Sequence, residues 1–276
     1  MLTAIRIIEQ NLTSALVLED DVDWDIRIKS QMTDFARATR LLIQPLPGTT
    51  DTFLDPTNPR PRFPNEGHVD FRFEEQHVVS EPTESPFGDI RRWDVLWLGH
   101  CGARFPRATD ENVPLGRVVS ADDTVPGPHN LDMEFGNDEL QSEYPPHTRV
   151  VSRARVNTCS LAYGVSQPGA RRILHELSIH GTFGPFDLML QDVCDGNDGR
   201  QPATCFTVQP QLFQHHRPVG SRAGFSDIDN YDGYNGHAST GNIRWSVRLN
   251  FPKLMNGKTD YIDSFPDAAD LSRDKK

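Results

Sequence analysis

Leu16-Val17-Leu18-Glu19-Asp20-Asp21-Val22-Asp23 is an apolar run that ends in four carboxylates within five positions. Burying unpartnered charges is costly, so the run reads as a strand with its acids at the exit, where they can share a cation. Ser14 to Leu18 has the continuous apolar character of a strand inside a parallel sheet covered on both faces. Ahead of it, Leu2, Ile5 and Ile8, with Ala4 and Ile7 nearby, predict a short amphipathic helix stopping at Asn11. Behind it, Ile28, Met32, Phe35, Thr39 and Leu42 recur at helical spacing until Pro45 and Pro47 intervene. Helix, strand, acidic turn and helix in that order make half of an α/β unit.

Eight prolines between Pro45 and Pro86 make 45–90 a Pro-rich surface insertion with at most one short strand. Order returns at Trp93-Asp94-Val95-Leu96-Trp97-Leu98-Gly99-His100, a second buried strand. Residues 103–148 read as loop. Ser160 to Val165 is a strand, and Ser166, Pro168 and Gly169 open a helix whose apolar stripe is Ala170, Ile173, Leu174 and Leu177. Cys205 to Val208 is a last strand, leading into Phe213-Gln214-His215-His216. The expectation is one domain over 1–259 and a polar, fraying tail over 260–276.

Composition narrows the partners. The 276 residues carry 28 Lys and Arg against 39 Asp and Glu, a formal net charge of −11. That balance argues against nucleic acid or an anionic membrane as the main partner. No apolar run approaches the roughly 18 residues a membrane span requires. Met1 to Gln10 lacks the features of a secretory signal, and the compartment, secretory pathway or cytoplasm, stays open. The four cysteines form no CxxC pair, which disfavours a zinc knuckle. Cys194 and Cys205 flank a Gly/Asp-rich loop and are either a local disulfide or two ordinary thiols. Asn11-Leu12-Thr13 is a formal glycosylation sequon.

Several chemistries compete for the acidic cluster. Asp21, Asp23 and Asp25 match the first ligands of a calcium EF-hand loop, but Ile26 and Met32 stand where it needs glycine and glutamate. A phosphatase of the haloacid-dehalogenase type also places Asp-x-Asp after an apolar strand, yet Asp25 departs from its pattern and no downstream Asp pair is evident. The third reading is a sugar-nucleotide transferase, in which acids at a strand end hold Mn²⁺ or Mg²⁺ against a donor diphosphate. A solvated acidic turn capping the next helix explains the same residues without chemistry.

Leu16 to Asp25, LVLEDDVDWD, resembles the metal-site segment of glycosyltransferase family 25, the lipooligosaccharide and collagen galactosyltransferases, particularly its fungal members. Trp93 to Gly102 is similar to the family's strand after the insertion, and Ser160 to Leu174 (SLAYGVSQPGARRIL) to its most specific block. Phe186 to Leu190 is similar to the short Asp-containing block that follows, and Pro210 to His216 with Ser226 to Ile228 fits the ending. The resemblance implies an α/β, GT-A-like (Rossmann-like) fold with a mostly parallel central sheet and long loop insertions. It implies metal-dependent, inverting transfer of a hexose, galactose by preference, from a UDP-sugar to a glycan or glycoprotein acceptor. In this reading Glu19, Asp21 and Asp23 hold Mn²⁺ (or Mg²⁺) and the diphosphate, and Asp20 and Asp21 contact the donor. His215, or its neighbour His216, completes the metal site. Asp187 is the base that inversion requires. Tyr163, Trp93 and Trp97 are assigned to the core. The family's Ile-Asn-Leu-like first strand and its arginines have no counterpart before Met1, so the chain is expected to be N-terminally incomplete or to have lost donor binding.

Overall fold

The computed structural model describes residues 2–110, 112–133, 139–181, 184–225 and 232–267. Its helices are α1 (Leu2–Glu9), α2 (Ile28–Ile43), α3 (Glu139–Glu143), α4 (Gln167–His180), α5 (Phe186–Asp195) and α6 (Val247–Met255). The strands are β1 (Ser14–Leu18), β2 (Val22–Trp24), β3 (Asp70–Arg72), β4 (Val95–Gly99), β5 (Arg117–Ala121), β6 (Thr148–Arg153) and β7 (Ala162–Ser166). They continue with β8 (Cys205–Gln209), β9 (Phe213–Arg217), β10 (Gly220–Ser221), β11 (Tyr234–Asn235) and β12 (Ser239–Thr240).

The chain folds as an α/β protein around one mixed sheet in the order β1-β7-β4-β8-β6-β5-β3. β1, β4, β8, β5 and β3 run one way, while β7 and β6 run against them. The sheet is largely parallel in strand direction, but β7 and β6 intervene, so among the described residues the direct parallel neighbours are β4/β8, β5/β3 and a short pairing of β4 with β9 at Gly99 and Phe213. β4 and β8 lie at the centre, every residue buried. Alternation along β4 sends Val95 and Trp97 to one face and Leu96 and Leu98 to the other. The first face packs against α1, α4 and α5 through Ile7, Ile173, Leu177, Leu190 and Val193. The second packs against α2 through Phe35, Ala38 and Leu42. Each large side chain so buried contributes roughly 2 kcal/mol.

The start of α4 shows how sequence fixes packing. Ser166 caps the helix by accepting from the Gly169 amide at 3.0 Å and donates to the Trp93 carbonyl at 2.8 Å. At Gly169 a Cβ would lie 2.3 Å from the Asp94 carbonyl oxygen, so only glycine lets the first turn of α4 approach the entry to β4 this closely.

Several expectations need correction. β1 is the edge strand of the sheet, with Leu16 at 51 % and Leu18 at 43 % exposure, and is not covered on both faces. Their partners on β7, Gly164 and Ala162, carry too little side chain to cover them. α1 buries Ala4 and Ile7 while Leu2 stands in solvent, so its stripe is rotated from the predicted one. The segment read as loop over 103–148 contains β5 and α3. The 45–90 insertion holds the one short strand expected of it, β3, but it is not confined to the surface, since Leu54, Phe71, Phe73, Val79, Phe87 and Ile90 join the α2-side core. Residues 260–267 of the tail pack back: Asp263 and Asp267 pair with the buried Arg244, and Asn250 bonds both ways with Ile262. Residues 268–276, and the predicted match at Ser226 to Ile228, lie outside the described residues.

Both pairs of cysteines are disulfides. Cys194–Cys205 ties α5 to β8, and Cys101–Cys159 ties the exit of β4 to the segment before β7.

Candidate metal centre

The acidic run divides at a turn. β1 ends at Leu18; Glu19, Asp20 and Asp21 turn the chain, and β2 leaves antiparallel to β9 with Val22 opposite His215. The His216 amide donates to the Asp21 carbonyl at 2.8 Å, which closes the turn against β9. Glu19, Asp21 and His215 each present a ligand atom there, all within 4.8 Å of one another, a spacing one divalent ion can span. This corner lies at the carboxyl end of β1, level with the exit of β4, where α/β sheets commonly bind ligands.

Each member has a defined setting. Ser160 donates to Glu19 at 2.9 Å. The Glu19 carboxyl is pushed above its ordinary range, first by burial and then by Asp21, Asp187 and Asp20, with the Ser160 bond opposing. Repulsion of that kind is what a bound cation relieves. Asp21 accepts from Arg217 at 3.3 Å and lies 3.8 Å from His215 Nε2. The His215 pKa is lowered by burial and by Arg217, with Asp21 opposing, which leaves a neutral imidazole at pH 7. Two carboxylates and an imidazole suit a divalent ion that accepts both oxygen and nitrogen.

Asp187 stands in the first turn of α5, and its Oδ2 accepts from the Cys159 amide at 2.8 Å. The Cys101–Cys159 disulfide and a bond from Trp97 Nε1 to the Cys159 carbonyl, 2.9 Å, fix that amide. Asp187 is close enough to Glu19 to raise its pKa.

The remaining predicted residues go elsewhere. Asp23 points away from the cluster and is fully buried. Its oxygens accept from the Trp24 amide (2.8 Å), the Arg248 amide (3.1 Å), Thr240 Oγ1 (2.7 Å) and Ser246 Oγ. With its accepting capacity spent on the protein's own donors, Asp23 pins β2 to β12 and the cap of α6 and is not brought to the Glu19, Asp21 and His215 cluster. Asp25 is similarly enclosed by Arg27 and the Trp245 amide. Asp20 is exposed beside the cluster, and its carbonyl accepts from Arg248. His216 faces Thr240 at 3.0 Å and does not join the group. Trp93, Trp97 and Tyr163 are buried in the core.

Arg217 and Ser160 are the site residues that sequence reasoning missed. Arg217 is two positions after His215 on β9, so strand alternation alone places it on the same side as that histidine. Ser160 carries no local signal. No helix is long and apolar enough to cross a membrane among the described residues. Compared with known protein families, characterised proteins and solved structures, this chain matches none.

Proposed function

We propose that this protein is a metal-dependent, inverting glycosyltransferase that moves a hexose from a UDP-sugar to a glycan or glycoprotein hydroxyl. The observation that carries the reading is the convergence of Glu19, Asp21 and His215 at the exit of β1, with Asp187 beside them. The ordered resemblance to family 25, and with it a GT-A-like arrangement, supports it. Glu19, Asp21 and His215 would hold Mn²⁺, the imidazole favouring it over Mg²⁺. When bound, such an ion offsets the negative charge that gathers on a departing diphosphate.

The chain's own residues do the rest. Ser160 orients Glu19, and Arg217, bonded to Asp21, adds a positive group beside the cluster that a donor diphosphate would meet. Asp187, held by one oxygen, has the other available to accept a proton from an acceptor hydroxyl. Asp20, exposed at the turn, is placed to contact the donor's ribose or sugar.

Calorimetric titration with Mn²⁺ and then UDP tests the reading. Mn²⁺ is expected to bind, UDP to bind only in its presence, and Asp21→Asn and His215→Ala to weaken Mn²⁺ by about tenfold or more. A folded protein that gives no Mn²⁺ heat, or an unchanged Asp21→Asn, removes the assignment. A second reading, the same fold without catalysis, is favoured by one observation. Among the described residues no strand stands outside β1 to wall a nucleotide pocket. Turnover of UDP-galactose by this chain would exclude it.

A further inference from the structure

At the opposite end of the sheet, where β8 and β5 begin and β6 ends, lies a cleft of about 350 Å³. That volume accommodates a ligand of roughly a dozen non-hydrogen atoms. Phe53, Phe206 and Leu42 form part of its wall, and three guanidinium groups, Arg91, Arg92 and Arg153, line it in a chain whose net charge is −11.

Arg153 is the unusual member. Its Nε donates to the Cys205 carbonyl at 3.1 Å and its Nη2 to the Ala203 carbonyl at 2.8 Å, with the guanidinium 5.5 Å from the Phe206 ring. Those bonds fix the plane of the fork and leave Nη1 without a protein acceptor among the described residues. Among the described residues no carboxylate pairs with it either. The two acids that reach it electrostatically are committed elsewhere. Asp94 accepts from Arg172 and the Thr204 amide, and Asp55 from Thr57 and the Gly116 amide. Burial pulls the Arg153 pKa down to about 10, with Arg155 and Arg172 adding to the fall while Asp94 and Asp55 oppose it. The side chain is nonetheless charged at pH 7, and a half-buried charge whose only hydrogen-bond partners among the described residues are two carbonyls is short of a counter-ion. At the rim, exposed Arg91 has no partner among the described residues, and Arg92 lies over Phe53 at 5.8 Å.

We propose that this cleft binds a small organic oxyanion, a carboxylate or phosphate carried on a compact apolar body, with Arg153 receiving the anionic group and Phe53 and Phe206 the body. A fixed guanidinium fork suits either head group. The site is separate from the acidic corner and does not depend on the transferase reading.

The test is calorimetric titration of the full chain at constant ionic strength with inorganic phosphate and with benzoate, and with chloride as control. At least one probe is expected to saturate, and Arg153→Gln to weaken it by about tenfold or more, the loss of one charged hydrogen bond. Arg91→Glu, on the exposed rim, keeps the test open if Arg153→Gln does not fold. It is expected to weaken the same probe severalfold with the melting temperature unchanged. Phosphate alone saturating assigns a phosphate head group; benzoate saturating assigns a carboxylate and use of the apolar wall. No saturation by either probe, or saturation indifferent to Arg91→Glu and to a folded Arg153→Gln, overturns the proposal.

Discussion

Replacing Asp23 by asparagine separates a structural acid from a metal ligand. Four donors converge on Asp23: two backbone amides on Oδ1 and two hydroxyls on Oδ2. An asparagine whose oxygen keeps the two amides must turn its NH₂ toward Thr240 and Ser246. Those hydroxyls can rotate to accept, but every bond changes from charged to neutral. A hydrogen bond to a charged group contributes about 1.5–3 kcal/mol against about 0.5–1.5 for a neutral one. Four such exchanges, partly offset by the lower cost of burying an uncharged side chain, give an expected loss of about 2–4 kcal/mol. Urea unfolding followed by tryptophan fluorescence measures it, since Trp24 adjoins the site and Trp245 contributes an amide to Asp25. In parallel, Mn²⁺ titration of folded Asp23→Asn should give the affinity of the unsubstituted protein. Full stability with Mn²⁺ binding abolished would refute the reasoning and make Asp23 a ligand.

Acid unfolding should carry the signature of His100. It is fully buried, its Nε2 lies 2.9 Å from the Val208 carbonyl, and burial lowers its pKa to about 4. The unfolded chain takes up a proton below about pH 6.5 that the folded chain refuses until about pH 4, so this contribution is complete above pH 6.5 and lost on acidification. The loss is on the order of 3 kcal/mol by pH 4. The stability difference between the protein and His100→Gln should change by that amount, and parallel pH curves would contradict it. Reducing Cys101–Cys159, which spans 58 residues, is expected to cost about 4 kcal/mol by loop entropy and to loosen the hold on Asp187. Comparing urea midpoints with and without reductant, using Cys194→Ser/Cys205→Ser to isolate this bridge, checks it. Gly169→Ala drives a Cβ onto the Asp94 carbonyl and should destabilise by about 1–3 kcal/mol in thermal unfolding, whereas alanine at exposed Gly236 should not.

What could be read from the chain depended on how local the signal was. β4, α2 and α4 declare themselves by runs or spacing within a few residues, and each is found where expected. β5 and β6 do not, because they carry Arg117 and Arg149 at buried positions. Those charges are neutralised by Glu143 and Asp122, each more than twenty residues away. β1 looked like a central strand because apolar content cannot tell burial from an edge whose neighbour is glycine. Among the acids, spacing alone could not separate Asp21 from Asp23. The distinction arises where β2 pairs with β9, which brings His215 to one acid and leaves the other to Thr240 and Ser246.

β1 has no proline, lysine or bulge to blunt its open side, the usual protections of an edge strand. Its guard is instead electrostatic and lies at one end. Copies stacked in parallel register would set Glu19 on Glu19, Asp20 on Asp20 and Asp21 on Asp21 at about 4.8 Å, the spacing of neighbouring strands, where like charges repel. A divalent cation held by these residues would cancel that repulsion. If the proposed ion binds there, the same corner would also guard the sheet's open edge, and loading it would remove part of the barrier to self-association.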